Sequence, residues 1–183
     1  MTRSYNLTES FICAIMSLRV VIFLNDKEKK QKQIQLLQQN LRSIRQIVGW
    51  TAEQLGEKIG VTKQTIGDLE NIKRPMNLTQ YLAFRSILND EITNNPERGN
   101  VLKQVIEILV DKGAELEEEN YIEIKDTIDT VAASASKGKE GIQLTKLLVT
   151  LLSSPNTIRA LSTIGIIISQ SSTGIAKGLK NIK

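Results

Sequence analysis

The chain has no histidine and a single cysteine, Cys13, which closes most of the chemistry a site could be built on. Without histidine there can be no Ser-His-Asp arrangement, no histidine general base and no histidine metal site, and one thiol cannot form a zinc finger or an intrachain disulfide. Carboxylates and lysines remain. No paired-carboxylate motif, phosphate-cradling glycine loop or dinucleotide fingerprint places them for catalysis. The chain is therefore expected not to be an enzyme, and no metal or cofactor is implied. What stands out instead is a face without large apolar residues at helical spacing: Gln64, Gly67, Asp68 and Asn71 fall on one side of a predicted helix, with Lys63 at its N-terminal rim.

The elements that must hold this face lie between Leu41 and Asn71. Leu37, Leu41, Ile44 and Val48 recur at four, three and four residues, one apolar stripe along a first helix. Gly49 ends it in a left-handed turn. Thr51 followed by Gln54 is a capping box that starts a second helix, which runs to about Ile59. Gly60 supplies the next turn, and Thr62 caps a third helix, whose Ile66 and Leu69 point inward. Two short helices that cross steeply need a small residue where their backbones meet, and Gly56 is placed to be that contact. Trp50 is expected to pack at the helix junction.

The pattern Arg45, Gly49, Thr51, Glu53, Leu55, Gly56, Gly60, Val61, Thr62, Thr65, Ile66, Leu69, Glu70, Asn71 resembles the phage repressor and Cro type of helix-turn-helix domain, the Xre family, over roughly Gln33 to Leu88. The resemblance implies a third helix in the major groove of DNA and a second helix across the backbone. It implies base contacts at Lys63, Gln64, Thr65 and Asp68: glutamine can bond adenine at two atoms, lysine can donate to guanine, and aspartate can accept from cytosine. It implies phosphate contacts at Thr51, Thr62, Asn71, Lys73 and Arg74, and a structural ion pair between Arg45 and Glu70. Two departures stand against the family pattern. Ala52 occupies a position where relatives often place a DNA-contacting polar residue, and Gly67 sits in the middle of the recognition helix at a cost of about 1 kcal/mol relative to alanine.

The remaining chain divides by composition. Residues 1–25 include a largely apolar run from Phe11 to Leu24 interrupted by Arg19, too short for a membrane span and without a cleavage site. A short strand, a short helix and an over-extended start before Met16 are all compatible with it. The helix-turn-helix domain is placed at 26–92, with a lysine-rich lead (Lys27, Lys29, Lys30, Lys32) and a fourth helix capped by Asn77 or Thr79 that carries Leu78, Leu82, Phe84, Ile87 and Leu88, with Phe84 and Tyr81 expected to complete the core. Asn89 to Asn100, with Pro96 and Gly99, is expected to be a hinge. Residues 93–140 form an acidic helical linker in which Glu117, Glu118, Glu119, Glu123, Asp126 and Asp129 dominate, ending in a small-residue joint. This stretch lacks calcium-loop spacing. Residues 141–183 form an apolar helical tail, started by Ser153 or Ser154 with Pro155, for self-association or, alternatively, contact with a membrane surface.

Together these features predict an all-α protein: a compact helix-turn-helix domain of four to five helices followed by a helical C-terminal region. The formal charge of +4 permits a nucleic-acid partner without requiring one. The expected function is a cytoplasmic, sequence-specific transcriptional regulator that binds double-stranded DNA as a homodimer. The competing expectation is an antitoxin or adaptor whose C-terminal half binds a protein partner or membrane surface, with DNA binding used for autoregulation.

Overall fold

The computed structural model describes residues 25–136 and 141–166, and among these every regular element is helical. The apolar run at Phe11–Leu24, the end of the small-residue joint and the lysine-rich terminus lie outside the described residues. Helix α1 occupies residues 25–39 and leads at Asn40 into α2, Leu41–Val48. Asn40 bends the junction. Its side-chain nitrogen donates to the Leu36 carbonyl at 2.7 Å and to the Tyr121 hydroxyl at 2.8 Å, so the side chain competes with the helix ladder and reaches a distant helix at once. The stripe Leu37, Leu41, Ile44 and Val48 is buried across the bend.

Helices α3 (Ala52–Ile59) and α4 (Lys63–Glu70) follow with the caps that the sequence predicts. Thr51 and Gln54 exchange both bonds of a capping box, Thr62 accepts from the Thr65 amide, and Gly49 and Gly60 take φ of 85° and 72°. Gly56 is a close contact: a Cβ there would lie 2.5 Å from the Val61 carbonyl oxygen. Helix α5, Leu78–Asn94, is capped by Asn77. Its inner stripe is Tyr81, Phe84 and Leu88, at steps of three and four residues, which turns Leu78 and Leu82 outward at 50 % and 55 % exposure instead of into the core.

The expected hinge is a tight corner. Only Asn95 separates α5 from α6, Pro96–Ile106, because proline fits the first turn of a helix as well as it ends one. Gly99 lets the two helices touch, since a Cβ there would lie 2.6 Å from the Ile92 carbonyl oxygen. A π-helical turn at Glu107–Asp111 and a 3₁₀ turn at Gly113–Glu115 follow. Then come α7, Glu118–Ser136, α8, Gly141–Leu151, and α9, Pro155–Thr163, the last capped by Ser154.

The acidic segment is not a loose linker. Helix α7 lies along α2 and also packs on α8 and α9, burying Ile124, Ile128, Val131, Ala132 and Ala135 and leaving its acids exposed except Asp129, which accepts from Ser43 on α2. Helix α6 fills the space among α2, α5 and α8 with Val101, Leu102 and Val105. One apolar core therefore runs from Ile34 to Ile164, with Leu144, Leu148 and Leu161 joined to it. No described helix is long and apolar enough to cross a membrane.

Candidate nucleic-acid interface

Helix α4 is held from beneath by Ile66 and Leu69, both fully buried. Its opposite face is polar along its whole length. Lys63 and Gln64 are exposed, Asp68 is partly so, and Gln64 donates to the Asp68 carboxylate at 3.0 Å. Thr65 is less available. It is half-buried, and its hydroxyl lies 3.1 Å from that of Thr62 within the cap. Gly67 has open space around it: apart from its chain neighbours and the backbone of its own helix, no heavy atom lies within 4 Å of where a Cβ would stand. Four of the five phosphate candidates flank this face. Thr51 and Thr62 sit at the N-termini of α3 and α4, and Lys73 and the exposed Arg74 lie in the loop beyond α4, where Lys73 approaches Asp68 at 3.9 Å.

Asn71 is more constrained than its position suggests. Its amide nitrogen donates to the Gly67 carbonyl at 2.7 Å, and its oxygen accepts from Arg42 at 2.9 Å. Arg45 and Glu70 form a two-pronged pair at 2.6 and 3.1 Å that ties α2 to α4, and Arg45 also donates to the Trp50 carbonyl at 2.9 Å. The pair thus fixes both α4 and the turn before α3. Trp50 packs half-buried on the core with the Lys58 ammonium 4.7 Å from its ring, an arrangement of packing and cation–π contact. Ala52 also packs against the core.

Three positioning residues were missed in the sequence. Arg42 joins Asn71 to Glu70. Gln38, on α1, bonds the loop beyond α4. Arg98, on α6, donates to the Val48 carbonyl at 3.1 Å and so closes the C-terminus of α2 beside Gly49. Arg42 could have been suspected from its place one helical turn from Arg45. Gln38 and Arg98 carry no local signal, because their partners lie 31 or more residues away.

A family model described as Helix-turn-helix matches residues 41–83. This segment is a helix-turn-helix domain. The match, to a DNA-binding type of helix-turn-helix, agrees with the two capped helices, the glycine turns and the exposed face of α4. Comparison with curated proteins and with solved structures gave no match. The helix-turn-helix match ends within α5, so α6 to α9 lie outside it even though they share its core. Among the described residues no group of three or more histidine, cysteine or acidic side chains is placed to hold a metal ion.

Proposed function

We propose that this protein is a sequence-specific transcriptional regulator that lays α4 in the major groove of an operator. Lys63, Gln64 and Asp68 then meet base edges, with Thr65 at the margin, while Thr51, Thr62, Asn71, Lys73 and Arg74 hold the phosphates on either side. The observation that carries this reading is the continuous polar face of α4, seated on Ile66 and Leu69 and locked to α2 by the Arg45–Glu70 pair. A rigid seat matters because base readout requires donors and acceptors at fixed positions.

In the free protein Gln64 is bonded to Asp68 at the surface. Docking exchanges that bond for bonds to bases, and an exposed bond of this kind costs little to break. An eight-residue recognition helix covers few base pairs. The reading therefore includes a homodimer on two half-sites about 34 Å apart, with regulation following from occupancy of the operator.

Selection from a random duplex pool by the full-length protein, at two salt concentrations, tests the proposal. Enrichment of a palindrome at both salts is expected. Retention of unrelated sequences that vanishes as salt rises would overturn it.

A further inference from the structure

The loop from Asn71 to Met76 carries three of the proposed phosphate contacts, yet little packing holds it. Asn71, Ile72, Lys73, Arg74 and Pro75 are all exposed. Ile72 is 60 % exposed and has φ of 55°, a left-handed conformation that a β-branched side chain adopts only under constraint. Apolar burial holds only its last residue, Met76, 4 % exposed in the core, so hydrogen bonds must keep the rest of this shape. The entry to the loop is held by the Lys73 amide, which donates to the Asp68 carbonyl at 2.9 Å, and by Arg42 on Asn71.

At the exit one side chain adds its hydrogen bonds to the burial of Met76. Gln38, 6 % exposed on α1, donates its amide nitrogen to the Arg74 carbonyl at 2.7 Å and to the Leu69 carbonyl at 3.1 Å, while its oxygen accepts from the Met76 amide at 2.8 Å. A carboxamide is the one neutral side-chain group that can donate twice and accept at the same place. Those bonds span the whole loop, from the last turn of α4 to the residue before Asn77.

We propose that Gln38 is a positioning residue for DNA binding: it holds the strained Asn71–Met76 loop so that Lys73 and Arg74 reach the phosphate backbone while α4 reads bases. This rests on the DNA-binding reading above. Gln38 itself touches no DNA, so it acts on affinity for all sequences alike, through the two cations it places.

The test uses full-length protein and a short random-sequence duplex, titrated over a range of salt. Gln38→Met keeps the length of the side chain and removes every bond. It is expected to weaken binding on the order of tenfold and to make log K against log salt shallower by about 2, one for each lost phosphate contact. In a Lys73→Ala/Arg74→Ala background the same change is expected to cost nothing further. A folded Gln38→Met protein with the wild-type salt slope, or with an equal loss in both backgrounds, would overturn the proposal.

If Gln38→Met does not fold, hydrogen exchange of the wild type still decides. The Met76 amide is expected to be strongly protected, and exchange at the rate of an unstructured amide would overturn the clamp. Wild-type protein that binds no duplex at any salt would remove the DNA-binding reading itself, whatever the Met76 amide shows.

Discussion

Gln64 and Lys73 sit close to the same edge of α4, yet they are expected to fail in different ways. Gln64→Ala should weaken binding to the preferred site by about 1 to 3 kcal/mol and relax one base position, whereas Lys73→Ala should weaken all sequences alike; competition titrations against singly altered sites separate the two. Gly67→Ala is expected to raise stability by about 1 kcal/mol, because the added methyl meets nothing and the helix gains a better former, and urea denaturation measures it. Arg45→Met is expected to be costly, by about 3 kcal/mol, since it leaves the Glu70 carboxylate, whose side chain is 4 % exposed, with only the longer Arg42 contact at 3.5 Å; a companion change to Glu70→Met should recover much of the loss. The residues legible in the sequence were those with local signatures: the caps at Thr51, Thr62 and Asn77, the turn glycines, and a pair set by the family pattern. Gln38 and Arg98 were illegible because a glutamine or arginine on a helix states nothing of a partner 31 or more residues away.

Periodicity located the helices well but misjudged what they face and how they join. In α5 the apolar residues fall on both sides: Tyr81 and Phe84 lie in the core as expected, together with Leu88, but the pattern alone did not reveal that Leu78 and Leu82 face outward. Pro96 and Gly99 read as breakers, but here one opens a helix and the other permits close contact. The charge of α7 hid its buried stripe in the same way. Its docking on the α1–α2 bend has a pH signature. Burial raises the pKa of the Tyr121 phenol, with Asn40's hydrogen bond opposing and the Asp129 charge adding, and burial likewise raises that of Tyr81. The unfolded phenol ionises near pH 10 while the folded one holds its proton to higher pH. Stability from this source is therefore complete below about pH 10 and is lost as pH climbs through the folded value. Thermal melts should show a fall above pH 10 that is shallower in Tyr121→Phe, which itself starts about 1 kcal/mol less stable for want of the Asn40 bond.

At the scale of the molecule, the helix-turn-helix is built into a larger body. Helices α6 and α7 cover the faces of α2 that an isolated helix-turn-helix would leave to solvent, and Arg98 and the Ser43–Asp129 bond cross between the two parts. Because the described core is continuous, urea should unfold the protein in one transition, with helicity and Trp50 fluorescence changing together. This union could not be read from composition, since a shift from basic to acidic residues marks a change of surface and says nothing of the buried stripe beneath it. Whether α4 reads bases is measured most directly by the binding of wild-type and Gln64→Ala protein to a selected site and to every single-base variant of it. A loss of discrimination at one position in each half-site, with the other positions unchanged, is the predicted result. Identical base preferences in the two proteins, or no preferred site for either, would contradict it.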